Sequence, residues 1–144
     1  MDFLGTYLDH IVFGTLSLMS VLMLALVIER ILFFRGLQVA DYGHSQELFV
    51  STTANLTTIS SIASNAPYIG LLGTVVGILL TFHQMGSAGE VDAKQVMVGL
   101  ALALKATAAG LLVAIPAMAF YNGLMRKVDE AQALYEAFHD REGS

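Results

Sequence analysis

No charged side chain occurs between Glu47 and Glu90. An uncharged stretch of that length exceeds the about 20 apolar residues that cross a hydrocarbon core of roughly 30 Å. Residues 11–28 are also free of charge, and residues 95–125 contain only one charged residue, Lys105. The chain has 56% hydrophobic and 13% charged residues, whereas a soluble domain carries about 25% charged residues. It is therefore expected to lie in a membrane.

The hydropathy pattern predicts an all-α membrane protein, a single unit with three transmembrane helices at about residues 11–34, 66–85 and 95–123. Pro67 suits the first turn of the second helix, and the GSAG segment at residues 86–89 is expected to end that helix. Asp92 and Gln95 are three residues apart, as in a capping box, and they predict where the third helix begins.

The distribution of Lys and Arg predicts the orientation of the chain. On one side of the membrane, Lys94 is the only basic residue near a span end. The other side carries five basic residues, Arg30, Arg35, Arg126, Lys127 and Arg141. The amino terminus is therefore expected outside, whereas the loop at residues 36–65 and the tail at residues 124–144 are expected in the cytoplasm.

Apolar side chains recur at helical spacing in both cytoplasmic pieces, which predicts helical extensions of the membrane helices. These residues are Leu48, Thr52, Leu56, Ile59 and Ala63 in the loop, and Leu124, Val128, Ala131, Leu134 or Tyr135, and Phe138 in the tail. The segment STTANLTTISS, residues 51–61, is a poor helix former by itself. A flexible loop and a fraying tail therefore remain the alternative.

The second and third spans each carry a stripe of small and polar residues at helical spacing. The stripe around Thr74 consists of Ala63, Pro67, Gly70, Gly77 and Thr81. The stripe around Thr107 consists of Gly99, Ala103, Gly110 and Ala114. Such stripes, including Gly73 and Gly77 at GxxxG spacing, commonly bring membrane helices together. Alternatively, the two hydroxyl-bearing stripes line a narrow polar pore that accepts a helix from another chain, and both interpretations stay open.

Two segments resemble a known family. These are NAPYIGLLGTVVGILLTF, residues 65–82, and VGLALALKATAAGLLVAIPAMAFYNGL, residues 98–124. Both are similar to the signature spans of the MotA/TolQ/ExbB proton-channel family, and most similar to those of ExbB and TolQ. The resemblance covers the two later spans and the hairpin between them.

The resemblance implies a multi-pass protein of the inner membrane of a Gram-negative bacterium, with its amino terminus in the periplasm. Its copies would form a ring, typically a pentamer, around membrane helices of an ExbD-like partner. Proton flow would drive the complex, and a TonB-like protein would pass the energy to outer-membrane receptors that import iron complexes or vitamin B12. The family's residues fall on this chain as pore-lining Thr74 and Thr107, helix-packing Gly70, Gly73, Gly77 and Gly110, and Pro116 in the VAIPA turn.

The chain departs from the family pattern at Leu102, five residues before Thr107, where ExbB and TolQ carry a glutamate. Hydroxyls relay protons but store no charge, and the second and third spans contain no carboxylate. Together with the resemblance, this absence predicts that an aspartate on the membrane helix of the ExbD-like partner stores the travelling proton.

Two charged residues fall inside the predicted spans. Lys105 lies about 160° around the helix from Thr107. It either pairs with an acid on a neighbouring helix or subunit, or extends to lipid headgroups. Glu29, the one carboxylate of the first span, is close to the cytoplasmic border. Arg30 beside it is expected to reach the headgroups.

Several function classes are disfavoured by the sequence. The chain has no cysteine, and its four histidines are dispersed, so neither a metal site nor a cofactor is predicted. The net charge of -5 argues against a nucleic-acid surface. An intramembrane hydrolase would need paired aspartates or a Ser/His pair at membrane depth, so no enzyme is predicted. The remaining alternatives are a TolQ-like role in outer-membrane integrity and cell division, and a passive helical scaffold.

Overall fold

The computed structural model describes residues 2–89 and 92–143. In chain order the elements are α1 (Asp2–Arg35), a 3-10 turn (Val39–Asp41), α2 (Ser45–Thr53), α3 (Leu56–Ala88) and α4 (Ala93–Gly143). By length and composition, α1, α3 and α4 can each cross a membrane. The described residues contain no strand, and the predicted all-α fold with three long apolar helices is confirmed.

The helix ends follow from local chemistry. Gly36 comes directly after the last residue of α1, as expected for a helix C-terminus. Gly89 adopts the left-handed conformation with φ 73° and donates its backbone N–H to the carbonyl of Met85 at 3.2 Å, which ends α3. The Asp92 carboxylate accepts the backbone N–H of Lys94 at 3.0 Å, which caps the start of α4.

The second membrane helix begins earlier than its predicted span. Pro67 was expected in the first turn, but α3 starts at Leu56 and continues through Pro67. Proline removes one intrahelical hydrogen bond and normally destabilises a helix interior. The residues before it, Ile59, Ile62 and Ala63, are almost fully buried, so tertiary packing maintains the helix across this position.

The helical extensions are confirmed. The predicted face of the loop, Leu48, Thr52, Leu56, Ile59 and Ala63, is buried along α2 and the first part of α3. In the tail α4 continues to Gly143, and its buried residues beyond the membrane span are Leu124, Val128, Ala131 and Tyr135. Of the two alternatives at the next turn, Tyr135 is buried and Leu134 is 63% exposed.

The three long helices share a core that runs along the bundle. We call the end of the bundle near the α3–α4 hairpin the hairpin end. In the middle of the bundle, Val12 and Leu16 of α1 pack against Ala66 of α3 and Ala106 of α4. A second cluster lies toward the opposite end. It contains Met23, Val27, Leu56, Ile59, Ile62, Ala63, Ala117, Leu124 and Val128. The alanines of the first cluster allow the helices to approach closely in the middle of the bundle.

Arg30 does not reach the lipid headgroups as expected, because the structure buries it between α1 and α2. Its guanidinium donates to both carboxylate oxygens of Glu29 at 2.6 Å and to the carbonyl oxygen of Ser51 at 2.6 Å. The amide of Asn55 donates to the same carboxylate at 3.0 Å. The carbonyls at the end of α2 carry the negative end of the helix dipole, so a buried cation there is favourable. This network fixes the break between α2 and α3, where Asn55 has φ 68°.

The structure predicts that Arg30→Met lowers stability more than an equivalent change at an exposed arginine. Hydrogen bonds to charged groups contribute about 1.5–3 kcal/mol to stability. The variant leaves Glu29 and the α2 carbonyls without the hydrogen bonds that Arg30 donates. We expect the melting temperature of the detergent-solubilised protein to fall by roughly 5 °C.

Arg126→Met is the matched control. Arg126 also pairs with a glutamate, Glu130 at 3.4 Å, but its side chain is 83% exposed. Exposed pairs contribute little, so its melting temperature should change by about 1 °C or less. Equal shifts for the two variants would contradict an anchoring role for Arg30.

Candidate functional site

The α3 and α4 helices touch backbone to backbone at Gly70 and Gly110. A Cβ atom on Gly70 would lie 2.5 Å from the carbonyl oxygen of Ala106 and 3.1 Å from the Cα atom of Gly110. A Cβ atom on Gly110 would lie 2.6 Å from the carbonyl oxygen of Ala66. Only glycine fits at either position without a shift of backbone. The predicted helix-packing role of these two glycines therefore agrees with their geometry.

The close approach brings the two stripe-centre threonines together. The hydroxyls of Thr74 and Thr107 form a short hydrogen bond across the α3–α4 interface. The Thr74 hydroxyl also lies 2.7 Å from the carbonyl oxygen of Ala103, and 3.3 Å from that of Gly70 in its own helix. Thr74 is buried, whereas Thr107 is half-buried. The pair thus links the interior of the bundle to its surface.

The hydrogen-bond pattern assigns the donors. A hydroxyl has a single proton, and a carbonyl oxygen only accepts. Thr74 donates to the Ala103 carbonyl, so its oxygen accepts from Thr107. The Thr107 oxygen can still accept a hydrogen bond, and Thr107 is the half-buried member of the pair. A donor from outside the subunit could therefore reach Thr107, and a proton arriving there has a second hydroxyl in contact.

The other stripe residues pack along the same interface. Gly73 faces Ala106 and Val12, Gly77 faces Ala103, and Gly99 faces Thr81. Ala114 is buried in the same cluster as Ala106. Pro116 is different, because it lies in the interior of α4 and is exposed. The structure thus brings nearly the whole of both stripes together within one subunit.

The charges at membrane depth lie away from the threonine pair. Lys105 is exposed and forms no ion pair among the described residues. Glu29 is already held by Arg30 and Asn55. Leu102 is 54% exposed and supplies no charge. Within the described part of the chain, the hydroxyl pair has no acid beside it.

Three features of the site were not expected from the sequence. Ala66 and Ala106 pack at the helix crossing but lie toward the edges of the two stripes, and Val12 of α1 covers Gly73. Asp9 and Thr6 of α1 line a cavity together with α3 and α4. The packing role of the two alanines could have been predicted, because each is a small residue next to a stripe residue in the sequence. The α1 contacts depend on how a distant helix docks, which no local spacing shows.

The described residues contain no group of three or more His, Asp or Glu side chains arranged to hold a metal ion. The polar groups at the threonine pair are two hydroxyls and the carbonyls of Gly70 and Ala103. Hydroxyls both donate and accept hydrogen bonds and carbonyls accept them, so these groups form a connected series.

Comparison with known proteins gives matches over most of the chain. The MotA/TolQ/ExbB proton channel family matches residues 34–137. The biopolymer transport protein ExbB of Aquifex aeolicus is 50% identical over 139 residues, covering 96% of this chain and 94% of that protein. ExbB of Helicobacter pylori is 50% identical over 129 residues, covering 90% and 89%. The Tol-Pal system protein TolQ of Haemophilus influenzae is 43% identical over 82 residues, covering 57% and 36%.

The helix crossing leads to a paired glycine prediction. Gly70→Ala places a methyl group against backbone, which costs about 1–3 kcal/mol beyond any gain in helix propensity. We expect this variant to melt several degrees lower in detergent and to lose the contact between the threonine hydroxyls.

Gly123→Ala in α4 is the matched control, because a Cβ atom there meets nothing within 4 Å. Alanine stabilises an exposed helix position by up to about 1 kcal/mol relative to glycine, so this variant should melt at the same temperature or higher. A loss of stability of equal size in both variants would refute the close-contact argument.

Proposed function

Since the chain belongs to the MotA/TolQ/ExbB proton channel family, we propose that it is an ExbB-like subunit of a membrane complex driven by the proton-motive force. The observation that carries the proposal is the hydrogen-bonded pair of Thr74 and Thr107 hydroxyls. The pair lies between two membrane helices and is reachable from one side. It supplies a proton relay at a depth where Lys105 is the one charged residue of the second and third spans.

In this function the threonines pass protons and a partner stores them. An isolated ion at the bilayer centre costs several kcal/mol, so a travelling proton needs a titratable group beside the relay. The second and third spans contain no carboxylate, and Glu29 of the first is engaged by Arg30. The acid is therefore an aspartate on the membrane helix of an ExbD-like partner, placed against the accessible side of Thr107.

The exposed faces of the helices support assembly into a ring in the lipid bilayer. Leu112 and Ile115 of α4 and Leu79 of α3 are each more than 60% exposed in the single subunit. Apolar faces of this kind are covered by lipid or by neighbouring membrane helices. The assembly in this function is a homopentamer around the ExbD-like helices, in the inner membrane of a Gram-negative bacterium with the hairpin end toward the periplasm. With a TonB-like protein it energises outer-membrane import of iron complexes or vitamin B12.

A TolQ-like role in outer-membrane integrity and cell division is the second candidate, because the TolQ of Haemophilus influenzae is also a relative. The ExbB proteins align over nearly the whole chain, whereas TolQ aligns over 57% of it. Extent of alignment favours the ExbB-like role. Co-purification of the native complex distinguishes the two by the partner that it retains.

The relay predicts that removing either hydroxyl impairs energy transfer without disrupting the fold. Thr74→Val and Thr107→Val keep the side-chain shape and delete one oxygen each. Positioned proton transfer contributes about 10²- to 10⁴-fold to a rate, so we expect proton-dependent uptake to fall at least about tenfold. Uptake is measured in cells that lack another copy of the gene, with assembly checked by co-purification.

Thr15→Val is the matched control for both variants. Among the described residues, the hydroxyl of Thr15 bonds the carbonyl of Ile11 in its own helix, at 2.7 Å, and the residue is half-buried. Its removal should leave uptake unchanged. Normal uptake in both Thr74→Val and Thr107→Val, with normal assembly, would favour a passive scaffold instead.

Lys105 supports a second element of this function, an ion pair with a carboxylate of a neighbouring chain. It lies twelve residues after the first residue of α4, about 18 Å along the helix, close to the middle of the membrane core. At that depth the Lys105 ammonium is far from the lipid headgroups, and its charge needs a counter-ion. A partner carboxylate in the same membrane layer would satisfy it.

We expect Lys105→Met to abolish proton-driven uptake while the complex still assembles. Lys105→Arg keeps the positive charge and should retain most of the uptake. Unchanged uptake in the methionine variant would remove Lys105 from the mechanism and leave the threonine relay unaffected.

A further inference from the structure

A partly open cavity of about 310 Å³ lies in the hairpin half of the bundle, between residues 6–9 of α1, 73–84 of α3 and 99–103 of α4. Four of its lining residues are polar: Thr6, Asp9, Thr81 and Gln84. The Thr81 hydroxyl donates to the carbonyl of Gly77 at 2.9 Å, which leaves its oxygen free to accept from water. A cavity of this size with several polar partners has room for a group of waters.

The cavity extends deep into the membrane-spanning part of the bundle. Along α3 its lining runs from Gln84 to Gly73. Eleven residues of helix correspond to about 16 Å, roughly half of a hydrocarbon core about 30 Å thick. At its inner end the lining includes Gly73 and Gly77, which face Val12, Ala106 and Ala103 across the helix interfaces.

The inner end of the cavity lies next to the threonine pair, although neither threonine lines it. Ala103 lines the cavity, and its carbonyl is the one that accepts the Thr74 hydroxyl. Immediately beyond, Gly70 and Gly110 bring α3 and α4 into backbone contact. No space for even a methyl group remains at that contact. The cavity therefore ends before this contact, whereas Thr6 and Asp9 at its other end are exposed.

Asp9 is the one titratable group among the described residues that line the cavity. His10 follows it in α1, and His83 precedes Gln84 in α3, but both are exposed and neither lines the cavity. Asp92 and Lys94 at the start of α4 are likewise exposed and outside the lining. Asp9 is thus the group able to exchange protons between the outer water and the cavity.

We propose that this cavity is a water-filled half-channel within each subunit and that Asp9 is its proton-loading residue. The Asp9 carboxylate takes a proton from water at the hairpin end and releases it to water in the cavity, returning to the carboxylate. Both hydroxyls then turn: Thr74 turns from the Ala103 carbonyl toward Thr107, and Thr107 turns from Thr74 toward the partner acid. Thr107 gives its proton to the acid, Thr74 gives its proton to the Thr107 oxygen, and cavity water gives its proton to the Thr74 oxygen, so each hydroxyl again holds one proton. This inference rests on the proposed function and adds the route by which protons reach the relay.

The first test measures whether water enters the cavity. The chain has no cysteine, so single cysteines can be introduced without a background signal. In the assembled complex in intact cells, Thr81→Cys should react with a membrane-impermeant methanethiosulfonate at least about tenfold faster than Leu79→Cys, because the thiolate forms only in water. Leu79 lies two residues away at nearly the same depth, is exposed, and does not line the cavity. Equal reaction rates would overturn the half-channel.

The second test measures the role of Asp9 in the intact complex. Asp9→Asn should lower proton-dependent uptake about tenfold or more, and Asp9→Glu should restore most of it. Asp92→Asn removes an acid at the same end of the bundle while keeping a good helix cap, so uptake in this control should be unchanged. Full uptake in Asp9→Asn would overturn its loading role even if Thr81→Cys reacts rapidly.

The two tests separate this inference from the proposed function. If Thr74→Val and Thr107→Val impair uptake but Asp9→Asn does not, the relay stands and protons reach it by another route. If both threonine variants are active, the relay itself fails. The cysteine reaction rates report water access in either case, because they do not depend on transport.

Discussion

The backbone contact between α3 and α4 at Gly70 and Gly110 determines the rest of the arrangement. Threonine side chains are short, so two hydroxyls on neighbouring helices meet only where the helices approach very closely. The contact also closes the bundle directly below Thr74. Glycine at two facing positions therefore lets the two hydroxyls meet. It also leaves no space between α3 and α4 next to the pair.

The close helix contact makes the two interpretations of the small-residue stripes compatible with each other. Helix packing and proton relay were alternatives at the level of sequence, because each explains glycine, alanine and threonine on one face. In the structure, Gly73, Gly77 and Ala103 pack the helices and also line the cavity, and the Ala103 carbonyl accepts the Thr74 hydroxyl. Packing is the means by which hydroxyls and a polar cavity are placed at a depth where an isolated polar group would be costly.

Much of the fold was predictable because it depends on residues a few positions apart. Hydropathy located the long helices, Asp92 and Gly89 marked helix ends, and the buried faces of the extensions followed from helical spacing. Arg30 was misjudged because its acceptors at Ser51 and Thr52 are more than twenty residues away. Pro67 lies inside α3 and not in its first turn, because the tertiary packing of the preceding residues overrides the usual preference of proline for a helix start. The Asp9 cavity needed three helices to be in place.

The asymmetry along the bundle has a consequence for how this subunit works with a partner. The hairpin half contains a polar cavity, which ends before the backbone contact of Gly70 and Gly110. The opposite half has a core around Ile59, Ala117 and Val128, and a separate cavity of about 590 Å³ between α1 and α4. In the proposed function a proton that enters a subunit therefore has no continuous internal path across it. It must leave sideways at Thr107, where the interface is half-buried, and continue on another chain. A subunit that leaked protons by itself would dissipate the gradient, whereas an interrupted route couples each transfer to the position of the partner's acid.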